Sequence, residues 1–477
     1  MSIHSVWRVE TCTAIAILLC LLLTVIAQPA AAQTQLFVAP AARGDGTGSS
    51  AANAADYTSV RFWSRINAAL DAGPVTVTFL DGEYAARDLV IQGIGHPDHR
   101  LTLQSESPGG AVFAGPAFMQ LRGVQNVAVR NFRFTGSDPR RTIYKLQIRS
   151  AGAGNDNFAW PSQYILIEGN QFVDALTGYG AIGVSHGSHH ITIHDNLFQN
   201  VGNGTGAHMI YSAYHPHHIK VIGNRFIDSR GDYVRFRDYS DFGEVRNNTF
   251  LSTGPEFNRV FVQIPVFNDV NPGDETHASN YLIRDNSFTF YAARPGDGQD
   301  AMGFHSSGYN PPGLEYLPTA EGGRILTSGT PEQKRQLMLD TMNIDLSKVR
   351  VFDNTLTNVR RRFVYTATPN YGAVSRGWTG TADISDAVNT TYLGAGDVYS
   401  DGVLDENDIP LFLLALQHTG EMEFLLDERV WFGDYRAADL NGDGKVDLGD
   451  VEPFLALFEG VVPDEALVPV RALLGGS

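Results

Sequence analysis

The stretch 439–450 reads DLNGDGKVDLGD, with oxygen-bearing side chains at its first, third, fifth, ninth and twelfth positions: Asp439, Asn441, Asp443, Asp447 and Asp450. Gly444 stands sixth, where such a loop must turn sharply, and Lys445 offers its carbonyl at the seventh. Hard oxygens gathered on one flexible loop are what a calcium ion takes. A second stretch, 397–408, repeats the frame with Asp397, Asp401, the carbonyl of Val403, Asp405 and Asp408, and with Gly402 sixth. Tyr399 stands third there, so this site is expected to be the weaker. Acidic surface turns do not account for two registers with glycine at the same place. Each loop runs into an apolar-periodic segment (Ile409, Leu411, Phe412, Leu414; Val451, Phe454, Leu455, Phe458) that predicts a helix.

A second set is cationic and aromatic: Arg235, Arg237, Tyr211, His208 and Lys145. A guanidinium pairs bidentately with a carboxylate. A phenol, imidazole or amine moves a proton. Cleaving a uronic-acid polymer by β-elimination needs both. A cation neutralises the sugar carboxylate, a base takes the neighbouring proton, and an acid protonates the leaving oxygen. Arg235 or Arg237 suits the first role, and Tyr211, His208 or Lys145 the proton transfers. A glycoside hydrolase would instead need two carboxylates about 5–10 Å apart, with Asp232, Asp238 and Asp241 as candidates. Asp238, Asp241 and Glu244 could also simply pair the arginines. A third reading is a non-catalytic sugar-binding or surface protein.

These residues need a scaffold, and a repeat supplies it. The segments YILIEGNQF (164–172), HITIHDNLF (190–198), HIKVIGNRF (218–226), GEVRNNTF (243–250), YLIRDNSF (281–288) and VRVFDNTL (349–356) share one pattern. Two apolar residues alternate, an Asn follows, and an apolar residue closes the unit. Alternation at period two is a strand with one buried face. Short strands at such a period make a solenoid. The Asn is expected to sit at the turn in a left-handed backbone and to bond the Asn one coil away. The later, longer spacings are read as insertions, the main one at 289–347.

Aligning coils by their inward residues gives strands 145–150, 181–185, 209–213, 233–237 and 260–264. An outward stripe then carries Gln147, Gly183, Tyr211, Arg235 and Gln263. One flanking row holds Arg149, Ser185, Ala213 and Arg237, and the other Lys145, Met209 and Tyr233. Loops at 152–162 and 268–279 are expected to wall a groove. The histidines His186, His189, His190, His194, His215, His217 and His218 crowd two turns. Stacked like residues in adjacent coils explain them better than a metal centre, because no carboxylate–histidine spacing fixes a geometry.

Charge and composition set limits. The formal charge is −17, which speaks against a nucleic-acid partner. Residues 396–462 hold 16 acidic and 3 basic residues, −13 of that total, so the remainder is close to neutral. The start, a basic residue, a short apolar run and small residues before position 32, reads as a signal peptide at 1–32. It predicts a secreted protein, extracellular or at the cell surface. Cys12 and Cys20 both lie inside it, so no disulfide is expected in the mature chain. Val60, Phe62, Trp63, Ile66 and Leu70 fall at helical spacing and predict a helix capping the N-terminal end of the solenoid.

The run LFVAP (36–40) with GDGT (44–47) resembles the entry strand and loop of secreted β-helix proteins, VTVTFLDGEY (75–84) resembles the first coil of the pectate-lyase-like superfamily, and NVAVRNFRF (126–134) resembles a later one. That resemblance implies an all-β, right-handed parallel β-helix with three strands per coil over 33–375. The two acidic loops, ending in Asp where an EF-hand has Glu, resemble a type I dockerin over 395–462. That implies a small α-helical calcium-binding module and a possible cohesin-type partner. The segments 376–394 and 463–477 read as linker and tail. The junction predicts two separately folding units. The expected substrate is an acidic polysaccharide.

Overall fold

The computed structural model describes residues 33–136, 143–152, 158–237, 240–265, 280–292, 299–307, 348–368 and 380–474, less single positions between 384 and 391, with three short pieces between 329 and 336. The signal segment, Asp238 and most of the two expected groove-wall loops lie outside the described residues. Among the described residues the strands form three sheets of eleven, nine and ten strands, called A, B and C. The chain visits them in turn: Gln163–Glu168 in A, Gln171–Val173 in B, Gly180–Ser185 in C, then His189–His194 back in A. Each strand pairs in parallel with its counterpart one coil away. This is a parallel β-helix with three strands per coil. Within the described residues no helix is long and apolar enough to cross a membrane.

The repeat explains the stacking. Ile165 and Ile167, Ile191 and Ile193, Ile219 and Val221 pair in register and point into one core. Phe134, Phe172, Phe198, Phe226, Phe250 and Phe288 stack with ring centroids 4.6–4.9 Å apart. The asparagines form a ladder: Asn170, Asn196, Asn224, Asn248 and Asn286 each donate from the side-chain amide to the next at 2.9–3.1 Å, and Asn354 accepts the last of these bonds. The left-handed backbone falls elsewhere than expected. It lies one residue earlier, at Gly169, Asp195, Gly223, Asn247, Asp285 and Asp353. The Asn itself is free to turn its amide inward, where the ladder and carbonyls such as Val129 O and Ile167 O saturate it, as a buried amide requires.

Other boundaries shift. The predicted N-terminal helix is two short helices, Val60–Trp63 and Ile66–Ala72, packing Phe62, Trp63, Ile66 and Leu70 on the core, while Val60 is exposed. Part of the expected 289–347 insertion, Gln299–Ser307, is a strand of sheet C paired to Val262–Pro265. In the supposed linker, Gly380–Asp383 pairs antiparallel with Val359–Thr368. The supposed tail contains the helix Val468–Leu474, and Leu467 and Val470 belong to the core of the C-terminal module.

The expectation of two separate units meets a shared interface. Lys220, Arg246, Arg284 and Arg350 point outward from four consecutive strands of sheet A, yet all four are buried. The C-terminal module receives them. Lys220 Nζ donates to Leu425 O and Asp427 O, both 2.8 Å, and Arg246 to Gly433 O at 2.6 Å. Arg284 meets Asp434 Oδ2 at 2.8 Å and Arg350 donates to Tyr399 O at 2.8 Å. Aromatic rings cover the cations: Phe352 and Tyr392 on Arg284, Tyr399 and Phe432 on Arg350, Trp431 on Lys220.

Candidate functional site

The expected outward stripe exists. Gln147, Gly183, Tyr211, Arg235 and Gln263 pair in sequence across sheet C. The first four floor a groove of about 500 Å³ whose walls include Arg149, Arg237, Tyr144, Tyr179, His186 and His208, while Gln263 is buried outside its lining. Arg237 Nη1 donates to the Tyr211 phenol oxygen at 3.0 Å. Arg235 Nη1 lies 3.4 Å from Asp232 Oδ2, beside the groove wall. Strand alternation puts Tyr211 and Arg235 on one face, and the ladder puts them one strand spacing apart. Aligning the coils by sequence makes Val260 and Val262 the inward pair of the strand 260–264; the buried pair is instead Val262 and Ile264, because Val262 is in register with Val234.

The second flanking row fails. Lys145, Met209 and Tyr233 are fully buried. Lys145 Nζ donates to Gly115 O at 2.6 Å and Ala117 O at 3.3 Å, tying down the turn of the preceding coil, and burial pushes its amine down to about 8. It is not a groove residue. The alternation breaks at the start of the strand, so Tyr144 takes the place assigned to Lys145. The Tyr144 ring lies across Gly183, where a Cβ would meet it at 2.4 Å, so the stripe needs glycine there. Tyr144 stacks with Tyr179 and Tyr211 at 5.2 and 6.1 Å. Burial first, then the neighbouring phenols, raises Tyr144 well above the usual phenol range, so it stays a neutral donor. Its sequence signal was the glycine one coil on, which leaves room for a ring.

His208 is placed as predicted in the sequence but buried beneath the groove, with its ring stacked on Tyr211 at 5.2 Å. Its Nδ1 accepts from the Asp232 backbone N–H at 3.1 Å. Burial, then Arg235 and Arg237, holds it well below the usual imidazole range. The ring is therefore neutral with its proton on Nε2, and it positions Tyr211 and Asp232. The carboxylates separate. Asp241 and Glu244 lie on the strand Asp241–Arg246 of sheet A, where Glu244 faces Arg246 at 3.4 Å. Among the described residues, no Asp or Glu lines the groove.

The histidines divide too. His186 faces the groove, with Nδ1 2.8 Å from Ser185 Oγ. His189 stacks on His217 and His190 on His218, at 4.8 and 4.7 Å, on sheet A. The Nδ1 atoms of His189 and His190 are 2.8 Å apart and those of His217 and His218 2.7 Å, each pair sharing one proton. His190, His217 and His218 bring ring nitrogens within 4.8 Å of one another. Trp431 stands edge-on to His190 and His218.

The acidic loops adopt matching frames. Asp439 accepts from the N–H groups of Gly442, Asp443 and Gly444, and Asp397 from those of Leu393, Asp401 and Gly402. Asp450 and Asp408 each reach back to the third position, Asn441 and Tyr399, and to the ninth, Asp447 and Asp405. Gly402 and Gly444 are left-handed, φ 81° and 88°, a conformation that favours glycine. Burial first, then Asp397 and Asp401, pushes Asp408 up to about 7. A hard divalent cation relieves such crowding, so the donor set fits calcium. Asn441 Oδ1 accepts from the Asp443 N–H at 2.9 Å, Asp443 Oδ1 from the Lys445 N–H and Asp401 Oδ1 from the Val403 N–H, both at 3.0 Å.

No protein-family model and no curated protein matches the chain. Solved structures that resemble it include the PL6 family alginate lyase AlyGC, 12% identical with a TM-score of 0.31 over 59% of this chain and 39% of that one. A mannuronic acid specific family 6 polysaccharide lyase from human gut microbiota is 13% identical, TM-score 0.30, over 72% and 76%. The Streptococcus pneumoniae surface adhesin PfbA is 13% identical, TM-score 0.25, over 49% and 75%. Likenesses this distant assign no activity.

Proposed function

We propose that the protein is a secreted polysaccharide lyase that cleaves a uronic-acid polymer by β-elimination in the sheet C groove. The observation that carries this is the meeting of Arg235, Arg237 and the Tyr211 phenol in a groove with no acid among its described lining residues. An arginine neutralises the uronate carboxylate, which makes the neighbouring carbon acid enough to lose its proton. Tyr211 takes the proton from that carbon and passes it to the leaving sugar oxygen as the C–O bond breaks and a C=C bond forms. Tyr144, a neutral phenol, donates to substrate oxygens. A hydrolase is disfavoured because it needs paired carboxylates, and among the described residues Asp232 alone stands beside this groove.

The C-terminal module is proposed as a dockerin-like calcium domain, held by Asp439, Asn441, Asp443, Lys445, Asp447 and Asp450 and, more weakly, by Asp397, Asp401, Val403, Asp405 and Asp408. The two short N-terminal helices act as the solenoid cap. A cohesin-type partner would have to engage a module face other than the one resting on sheet A. The deciding experiment is ultraviolet absorbance during incubation with a panel of uronic polymers. Unsaturated ends support the lyase; new reducing ends without them mean hydrolysis, and neither means a binding protein. Titration calorimetry of the whole chain with calcium tests the module; Asp439→Ala should lose the tighter site and Asp397→Ala only the weaker.

A further inference from the structure

Beyond the reacting centre, the groove is lined by a further cation, Arg149, that has no acidic counterpart among the described residues. Arg149 ends the strand Tyr144–Arg149 and is in register with Arg122 of the preceding coil. Arg122 has a neighbour: its Nε donates to Gln120, which in turn donates to Gln147. Arg149 has none. Its Nε is buried without a hydrogen-bond partner, and no acid among the described residues reaches it. Burial and the like charge of Arg122 both push its guanidinium down. A half-buried cation facing another cation is costly unless an anion meets it.

The row geometry says which anion. Arg149 and Arg237 lie in the same row of sheet C, separated by the strands Gly180–Ser185 and His208–Ala213. Three strand spacings put their backbones about 14 Å apart. Between them the row carries Ser185 and Ala213, which pair in register. Short side chains there leave a flat floor between two guanidiniums. The span exceeds one sugar ring, so one monosaccharide cannot meet both.

We propose that Arg149 holds a second carboxylate of the same polyuronate chain, so that the groove reads a stretch of several sugars lying along the solenoid axis. This rests on the uronate reading of the groove. A chain bound at both places gains a charge-assisted contact that a short fragment cannot make.

The test measures binding of a length series of oligouronates, from disaccharide upward, with neutral oligosaccharides of equal length beside it. Wild type should bind long acidic chains much more tightly than short ones. Arg149→Gln should flatten that length dependence by about tenfold, and Arg149→Lys should restore part of it. Melting temperature reports whether each variant is folded. If acidic chains bind but Arg149→Gln follows wild type at every length, the subsite is wrong while the groove reading stands. If neutral chains bind as tightly as acidic ones, the uronate reading falls and the subsite with it.

Discussion

Sheet A and sheet C each send a row of cations outward from the same solenoid. On sheet A these are Lys220, Arg246, Arg284 and Arg350; on sheet C they are Arg122, Arg149, Arg235 and Arg237. The sheet A cations meet the chain's own C-terminal module, through backbone carbonyls, Asp434 and covering aromatic rings, although Arg246 Nε and Nη2 make no hydrogen bond. Of the sheet C cations, Arg149, Arg235 and Arg237 line a groove beside Gly183, Ser185, Ala213 and the tyrosines, while Arg122 donates to Gln120 outside it. Residue type is the same in both; what covers it differs. An outward cation on a β-helix therefore marks a docking point or a ligand site according to its cover, and only the three-dimensional arrangement says which.

The largest expected effect breaks the covered row. Arg284 and Asp434 are both fully buried and 2.8 Å apart. Burial alone would raise Asp434, but Arg284 ahead of Arg246 holds its carboxyl below the usual range. Removing one partner of such a pair leaves a buried charge, at a cost of about 3–5 kcal/mol. Arg284→Ala should lower the melting temperature by several degrees and open the segment 384–394 to protease. An unchanged melt and digestion pattern would mean that the interface contributes little.

The open row should respond in the opposite way. Arg235→Ala or Arg237→Ala removes a charge-assisted contact to substrate, about 1.5–3 kcal/mol, or roughly 10- to 150-fold in turnover. The melting temperature should barely move, because these side chains face the groove. If either variant loses stability as Arg284→Ala does, the two rows are not different in kind.

Lys145 sharpens the contrast, since it shares a strand with the groove but not its face. Lys145→Met leaves Gly115 O and Ala117 O without their donor, an expected cost of about 1–3 kcal/mol. Turnover should stay within about twofold of wild type. A large loss of turnover at normal stability would return Lys145 to the catalytic set.

Much of the scaffold was legible because a coil repeats its own chemistry. Ile-x-Ile, Asn and Phe recur in the order core, ladder, core, and the stripe of Tyr211 and Arg235 followed from period two alone. Lys145 was misplaced because the alternation breaks at the start of the strand Tyr144–Arg149, where backbone carbonyls of the previous turn capture its amine. His208 was found in sequence, but its burial was not visible there. The docked module was illegible for another reason. Arg246, Arg284 and Arg350 recur on sheet A as outward polar positions, which ordinarily face water. Nothing local in the sequence says that Gly433 O and Tyr399 O will meet them.

The smallest expected effect is a pH dependence at the rim of the covered row, where Trp431 meets the histidine ladder. Burial first, then the neighbouring rings, holds His190 and His217 at about 4 and His218 at about 3; Lys220 adds to this at His190 and His218. An unfolded histidine titrates near 6.5. Between about 6.5 and 4 the unfolded chain takes up protons that the folded chain refuses, so stability falls as pH falls through that window. The rings are half exposed, so screening cuts the contribution of each, and a shift of a few degrees in melting temperature is expected. His218→Gln should flatten the slope of melting temperature against pH between 6.5 and 4, relative to wild type. Turnover measured near neutral pH should be unaffected, because the ladder lies on sheet A and the groove on sheet C. A slope equal to wild type would show that the ladder does not sense protons at this interface, and the acid sensitivity would then belong to the carboxylates of the module.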